Sequence, residues 1–107
     1  MTINFDDFLK LEVKIGTILE AEKVPDTDKL IKLTIDLGSE KRQLVAGIAE
    51  TYEPEDLIGM QIPVLVNLEP RKIKGVESQG MILCADENGK AVLMHPDRKL
   101  PNGSKIC

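Results

Sequence analysis

Residues 43–66 read Gln43-Leu44-Val45-Ala46-Gly47-Ile48-Ala49-Glu50-Thr51-Tyr52-Glu53-Pro54-Glu55-Asp56-Leu57-Ile58-Gly59-Met60-Gln61-Ile62-Pro63-Val64-Leu65-Val66. The stretch begins and ends with short apolar runs, 43–48 and 62–66, which are typical of strands. Between them, Pro54–Leu57 predicts a short helix that ends at Gly59, because proline suits the first helical turn and acids favour the positive end of the helix dipole. The order strand, helix, strand therefore lies at the centre of the fold.

Short strands are also predicted on both sides of this stretch. Val13, Ile15 and Thr17 alternate with polar or small residues, which is the period of a half-buried strand. Gly16 lies near a shift in that pattern and predicts a bulge or a sharp bend. Asn88-Gly89 is a strong hairpin signal. The full set of predicted strands is 13–17, 30–37, 43–48, 62–66, 81–85 and 90–94.

The remaining segments are predicted to be a helix and a loop. Phe5, Phe8 and Leu9 share one face of a helix over residues 5–11, and Asn4 is a suitable N-cap. Residues 67–80 show no long apolar period and predict a loop, with room for a short extended piece near Ile73.

Five or six short strands with one helix between the third and the fourth predict an all-β fold, a five-stranded Greek-key OB-fold barrel. The helix has the position that such a barrel uses to close its bottom. An SH3-like barrel is the alternative, although it usually lacks the inserted helix. With 107 residues, the chain fits a single domain, residues 1–107.

Composition excludes several classes of function. Lys and Arg number 14 against 18 Asp and Glu, so the net charge is −4, which argues against a protein that coats nucleic acid without selectivity. Aromatic residues make up 3%, which argues against binding by base stacking alone. No apolar stretch approaches the roughly 18 residues of a membrane span, so no membrane partner is expected.

Neither a metal, a cofactor nor catalysis is predicted. The two cysteines and the single histidine, His95, have no metal-ligand spacing, and no glycine-rich phosphate loop occurs. A nucleophile would need a nearby histidine as its base, and a lone histidine near the tail gives no such arrangement. Free cysteines point to a reducing cytoplasm. We therefore expect a binding module.

The segment 67–81 is the strongest candidate binding site. It contains three cations in four positions, and Arg and Lys are the side chains that contact phosphate oxygens. Neutral hydrogen-bonding groups flank them, and glycines allow close approach of another molecule. The candidate residues here are Asn67, Arg71, Lys72, Lys74 and Ser78.

A second group of cations precedes the central strands of the predicted barrel. Lys29 follows the first turn and Arg42 opens the third strand. We expect both to share a face with Arg71 and Lys72. The acids of the helix region are expected at the other end of the barrel: Glu50, Glu53, Glu55 and Asp56.

With these residues in view, the chain resembles the tRNA-binding OB-fold domain that accompanies methionyl-tRNA synthetases and occurs in related free tRNA-binding proteins. The resemblance runs through Val13–Ile18, Asp26–Leu30, Arg42–Ala49 and Tyr52–Gly59. Its most specific part is Asn67-Leu68-Glu69-Pro70-Arg71-Lys72 with Gly75 and Ser78-Gln79-Gly80-Met81.

The resemblance implies tRNA contacts from Lys29, Arg42, Asn67, Arg71, Lys72, Ser78 and Met81. Met81 fits either a groove edge or the core. Relatives commonly carry His-Pro where this chain has Val24-Pro25, so any contact of that histidine is absent here.

The implied function is a non-catalytic tRNA-binding module that raises the affinity of methionyl-tRNA synthetase for tRNA, as its C-terminal domain or β-subunit. The implied partners are tRNA, the catalytic region of the synthetase and a second copy of the chain, joined through the N-terminal helix and C-terminal strands. A homodimeric chaperone of the same fold, which binds unfolded or exported polypeptides, is the alternative. That family usually lacks the pair Arg71-Lys72.

Overall fold

The computed structural model describes residues 1–107, and an antiparallel sheet of five strands forms its main body. In chain order the elements are α1 (Phe5–Leu9), β1 (Val13–Lys23), β2 (Ile31–Asp36), β3 (Lys41–Ala46), α2 (Pro54–Leu57), β4 (Gln61–Leu65), β5 (Arg71–Ile73), β6 (Val76–Ser78), β7 (Met81–Ile82), β8 (Cys84–Glu87) and β9 (Lys90–Leu93). The strand order in the large sheet is β3-β2-β1-β4-β7, and two hairpins, β5-β6 and β8-β9, accompany it.

The large sheet curls until its two ends almost meet. The Gln79 N–H donates a hydrogen bond to the Gln43 carbonyl at 2.8 Å, which joins the last residues before β7 to β3. A nearly closed, five-stranded barrel results, and α2 lies between its third and fourth strands. The predicted OB-type fold and the position of its helix are confirmed.

Strand β1 is long because it serves two neighbours. Its first half, from Val13 to Thr17, pairs with β4, and its second half pairs with β2. Ile18 lies opposite Ile35 and Glu20 opposite Thr34, so Leu19 is the extra residue of a bulge. The bulge predicted from the pattern shift is confirmed, and it bends β1 where it passes from one partner to the other.

Gly16 lets β2 approach β1 closely. A Cβ atom at this position would lie 2.5 Å from Cγ2 of Ile35 and 2.9 Å from Cδ2 of Leu37. Such contacts are too short for any side chain, so the glycine is required for packing at the barrel wall.

One aliphatic cluster fills the barrel, and the alternating strand pattern supplies most of it. Ile31, Leu33 and Ile35 of β2 are all fully buried, as the period-two pattern predicts. Leu57 of α2 is fully buried too, so the helix closes one end of the core. The cluster comprises Ile18, Ile31, Leu33, Ile35, Leu37, Leu44, Ala46, Ile48, Leu57, Ile62, Val64, Val66, Ile82 and Leu93.

Two predictions of local structure are wrong. Residues 67–80 are not one long loop: the extended piece expected near Ile73 is present as β5, and it pairs with β6 in a hairpin whose two-residue turn is Lys74-Gly75, both with positive φ (52° and 81°). That turn twists the chain in the sense that strand pairing favours. The predicted strand 81–85 is divided at Leu83: β7 pairs with β4, while β8 pairs with β9. The predicted Asn88-Gly89 turn is confirmed, again with two positive φ values (51° and 86°).

The two ends of the chain lie beside β1 and β4. Helix α1 is shorter than predicted, and Asn4 caps it by accepting a hydrogen bond from the Asp7 N–H at 2.9 Å. The C-terminal residues return to β1, where the Ile15 N–H donates to the Ser104 carbonyl and the Ile106 N–H to the Val13 carbonyl, each at 2.8 Å. No helix is long and apolar enough to cross a membrane.

Candidate nucleic-acid interface

The β5–β6 hairpin carries three cations that form no ion pair, and its one carboxylate, that of Glu77, lies on β6 opposite Lys72 in the strand register. Arg71, Lys72 and Lys74 are exposed, and none of them has a carboxylate oxygen within 4.0 Å. Six other cations do form ion pairs within that distance. The hairpin therefore offers three cations whose donors are available to a partner.

An apolar groove of about 430 Å³ lies beside this hairpin. Arg71 and Ile73 of β5 form part of its wall, Met81 of β7 another part, and Val45 and Ala46 of β3 contribute as well. A neighbouring cleft of about 420 Å³ runs between the hairpin turn and the β1–β2 loop. Both depressions share Leu30 and Ile73, so they form one continuous surface, which we call the hairpin groove.

Lys29 and Lys74 lie on opposite sides of that cleft, together with Asp26 and Asp28. Lys29 is exposed, and its Nζ lies 3.8 Å from Oε1 of Glu50. Exposed ion pairs of this kind contribute little energy, so Lys29 can exchange Glu50 for a phosphate oxygen. The structure thus places Lys29 across one cleft from Lys74 of the hairpin.

Arg42 has a different environment from the hairpin cations. Its guanidinium forms an ion pair with Glu40 at 2.7 Å and donates to the Gln79 carbonyl at 3.2 Å and to the Val66 carbonyl. The Arg42 hydrogen bond and charge hold the pKa of the exposed Glu40 carboxyl below its ordinary value. Most donors of the guanidinium are already engaged within the chain.

Asn67 and Ser78 also use their polar groups internally. The Asn67 side chain accepts a hydrogen bond from the Glu12 N–H at 2.9 Å and donates one to the Lys10 carbonyl at 2.6 Å. Ser78 is 3% exposed, and its hydroxyl accepts from the Val45 N–H at 3.0 Å. Asn67 thus connects the end of β4 to the residues between α1 and β1, and Ser78 connects β6 to β3.

Met81 is 40% exposed and contributes to the wall of the hairpin groove. Of the two positions considered for it, the groove edge and the core, the structure places it at the groove edge. An exposed, flexible thioether there can pack under a base or a ribose.

The expected separation of acids from cations is wrong in part. Glu50 lies beside Lys29, and Glu53 forms an ion pair with Lys23 at 3.5 Å. The reason is that the backbone after β3 returns to the β1–β2 loop, where the Ala49 N–H donates to the Lys29 carbonyl at 2.9 Å. The two acids therefore lie near cations and not at a distant end.

Two glutamines form hydrogen bonds that hold the hairpin: Gln79, which the sequence marks as a hydrogen-bonding group of segment 67–81, and Gln43, which it does not mark. The Gln43 N–H donates to Oε1 of Gln79 at 3.1 Å, and Nε2 of Gln43 donates to the Glu77 carbonyl at 2.8 Å. The sequence predicts an extended piece around Ile73 but not its place in the groove wall. The available signal was the sequence Lys72-Ile73-Lys74-Gly75, whose alternation and turn residue are typical of a hairpin.

His95 and Cys84 are the remaining side chains with reactive groups, and they lie in different surroundings. Nδ1 of His95 lies 2.8 Å from the Gln61 carbonyl. Cys84 is partly buried in the hairpin groove, and burial raises the pKa of its thiol. No three His, Cys, Asp or Glu side chains lie close enough together to hold a metal ion.

The chain is similar to known proteins over nearly its whole length. The chain is 56% identical over 104 residues to a methionine–tRNA ligase of Methanothrix thermoacetophila; the match covers 97% of this chain and 15% of the ligase. The chain thus spans about a sixth of the curated relatives it matches.

Two solved structures have the same fold over their full length. A MetRS related protein from Pyrococcus horikoshii is 41% identical, with a TM-score of 0.94 over 100% of this chain and 99% of that one. The chaperone CsaA from Bacillus anthracis is 42% identical, with a TM-score of 0.92 over 100% of both chains.

The sequence model described as a putative tRNA binding domain matches residues 13–105. That range contains the whole barrel, the β5–β6 hairpin and every residue proposed above as a contact. The chain belongs to the family of putative tRNA binding domains.

Proposed function

We propose that residues 1–107 act as one non-catalytic domain that binds tRNA through the hairpin groove. The observation that carries this proposal is the set of three exposed, unpaired cations on the β5–β6 hairpin: Arg71, Lys72 and Lys74. Such a group neutralises phosphates and displaces their counterions, which is the main source of affinity for nucleic acids.

The groove beside these cations supports a particular mode of contact. Met81 and Ile73 supply apolar surface that packs against a ribose or base edge, while Arg71 at the same wall reaches a phosphate. The chain has few aromatic residues for stacking, so recognition depends on the shape of the folded RNA. Lys29, across the cleft from Lys74, extends the contact to the β1–β2 loop.

The methionine–tRNA ligase relatives suggest the biological setting. We propose that the domain acts with the catalytic region of a methionyl-tRNA synthetase in the cytoplasm, as its C-terminal domain or its β-subunit. A weak general binder linked to an enzyme raises the effective concentration of its substrate without new chemistry. The enzyme's affinity for tRNA should therefore fall when the domain is removed.

We also propose a homodimer formed through the N-terminal segment. Phe5 is 70% exposed and Leu9 54%, and Phe5 stacks on Phe8 at a ring distance of 6.2 Å. Six large apolar side chains of this segment are exposed, a patch that a symmetric partner would cover. They are Met1, Ile3, Phe5, Phe8, Leu9 and Leu11. Sedimentation should detect a dimer that a Phe5→Ser/Phe8→Ser variant does not form.

Binding of bulk tRNA at several salt concentrations tests the main proposal. The logarithm of affinity should fall linearly with the logarithm of salt concentration, and Arg71→Gln/Lys72→Gln should reduce that slope by about 1.5. The matched control is Lys99→Gln/Lys105→Gln, which changes net charge equally at exposed positions outside the hairpin. The proposal would be contradicted if the salt slope fell equally in both variants, or if the wild type bound no tRNA.

The apolar character of the hairpin groove, with the CsaA chaperone among its structural relatives, favours polypeptide binding as a second candidate. Competition separates the two functions. Polypeptide binding is the correct function if an unfolded, reduced polypeptide displaces bound tRNA at a lower concentration than tRNA needs to displace bound polypeptide. The variant Arg71→Gln/Lys72→Gln should then bind polypeptide as the wild type does.

A further inference from the structure

The hydrogen bonds of Arg42 point to a role other than phosphate contact. Segment 67–79 contains the hairpin. One guanidinium nitrogen of Arg42 donates both to the Val66 carbonyl, just before this segment, and to the Gln79 carbonyl, at its end. A single side chain of β3 thus joins the two ends of the segment that carries the binding cations.

The charge of Arg42 is balanced on the other side by Glu40. Nε of Arg42 donates to Oε1 of Glu40 at 2.7 Å, and its second terminal nitrogen donates to Oε2 at 3.3 Å. A guanidinium has five donors in a rigid fork, which allows it to serve two carbonyls and a carboxylate together. The side chain of Arg42 is 24% exposed, compared with 48% for Glu40.

Neighbouring residues of β3 hold the same segment. Gln43 exchanges hydrogen bonds with Gln79 and donates one to the Glu77 carbonyl, and the Val45 N–H donates to the Ser78 hydroxyl. These bonds fix only the second strand of the hairpin and the residues after it. Arg42 alone among them also reaches Val66, the residue before the segment begins.

We propose that Arg42 is a positioning residue: its guanidinium, neutralised by Glu40, fastens both ends of segment 67–79 and so orients the hairpin cations toward tRNA. This inference rests on the proposed function of the hairpin. It differs from a direct contact in a measurable way. A direct contact depends on charge, whereas positioning depends on the fork geometry that lysine lacks.

The test compares Arg42→Lys and Arg42→Gln with Arg71→Gln. If Arg42 positions the hairpin, both Arg42 variants weaken tRNA binding by about tenfold with an unchanged salt slope. Arg71→Gln instead lowers the slope by about 0.7–0.9. A result in which Arg42→Lys binds as the wild type does, while Arg42→Gln lowers the slope, would overturn the inference.

Glu40→Gln supplies an independent variant, because Glu40 is exposed and its loss leaves the barrel core intact. If Arg42 contacts phosphate, the loss of the competing Glu40 carboxylate would strengthen that contact and make the salt dependence of tRNA binding steeper. The positioning role predicts an unchanged slope. This arm remains informative if an Arg42 variant does not fold.

Amide hydrogen exchange separates this inference from the proposed function, because it needs no tRNA. In both Arg42 variants, amides of residues 71–78 should exchange about tenfold faster, while those paired between β1 and β2 keep their wild-type rates. Unchanged exchange in the hairpin contradicts positioning. If the wild type binds no tRNA but the hairpin exchange still rises, the proposed function fails and the structural role of Arg42 stands.

Discussion

The Val45 N–H donates a hydrogen bond to the Ser78 hydroxyl at 3.0 Å, and this bond joins β3 to the end of the β5–β6 hairpin. The hydroxyl in turn donates to the Gly80 carbonyl at 3.0 Å. Ser78 thereby satisfies one donor and one acceptor at a position that solvent does not reach, where the two edges of the barrel approach each other.

Replacement of Ser78 by alanine should destabilise the chain. The Val45 N–H and the Gly80 carbonyl would lose their partner, which costs about 1–3 kcal/mol for buried groups. Urea denaturation should show a lower midpoint, while the salt slope of tRNA binding stays unchanged. Ser39→Ala, at an exposed turn, is the control. Wild-type stability together with a reduced slope would instead identify Ser78 as an RNA contact.

Alanine at Gly16 should destabilise the barrel by about 1–3 kcal/mol, because its Cβ would overlap Ile35 and Leu37. Gly47→Ala is the matched control: no atom lies within 4 Å of a Cβ built there. Thermal unfolding of both variants measures the difference. Equal melting temperatures for the two variants would contradict this, because they would show that Ile35 and Leu37 move aside without cost.

Asn67→Ala should loosen the N-terminal segment without lowering the salt slope of tRNA binding. The variant loses the bonds to Glu12 and Lys10, which are the side-chain links from this position to the residues after α1. Limited proteolysis should cut residues 1–12 faster. Asn67→Asp keeps an acceptor for the Glu12 N–H and should have an intermediate effect. A lowered slope with wild-type proteolysis would show that Asn67 contacts RNA.

The ion pair of Glu40 with Arg42 should contribute to stability in a pH-dependent way. The pKa of Glu40 in the folded chain is lower than the ordinary 4.5, so its contribution is present above that pH and is lost as the pH falls through the folded value. The stability difference between wild type and Glu40→Gln should therefore shrink below pH 4.5. A difference that is constant from pH 7 to the acid transition would contradict this.

Cys84 should react more slowly with iodoacetamide than Cys107 at pH 8. Burial in the hairpin groove raises the pKa of the Cys84 thiol above 9.0, and only the thiolate is nucleophilic, whereas Cys107 is exposed. Mass spectrometry of the two peptides gives both rates. Saturating tRNA should slow Cys84 further if it occupies the groove, and a Cys84 rate that tRNA does not change would place the RNA elsewhere.

The barrel was predictable because its signals are local. Period-two alternation through Val13, Ile15 and Thr17 marks a strand, and Pro54 with its following acids marks the inserted helix. Asn88-Gly89 marks a hairpin by its backbone preference alone. The Lys74-Gly75 turn is a weaker signal than Asn88-Gly89, because lysine adopts positive φ less readily than asparagine does.

The sequence indicates which segment carries the candidate site, but it indicates less clearly what each residue of that segment does. Arg71, Lys72 and Lys74 are exposed, as their charge suggests. Asn67 and Ser78 are the residue types that contact RNA, but the same donors and acceptors also satisfy backbone groups within a fold. Nothing in the order of residues indicates which partner a side chain takes.

Local patterns in the sequence are enough to predict the apolar faces that enter the core and the helix that interrupts the strands, because burial and backbone preference act between near neighbours in the chain. Two features depend on the folding of distant segments together: Arg42 binds Val66 and Gln79, which are 24 and 37 residues away, and Lys72 has no carboxylate oxygen within 4.0 Å. Polar groups compete for partners that the closing of the barrel brings within reach. Three of the cations left without an ion pair, Arg71, Lys72 and Lys74, lie together on the hairpin and form the centre of the proposed binding surface.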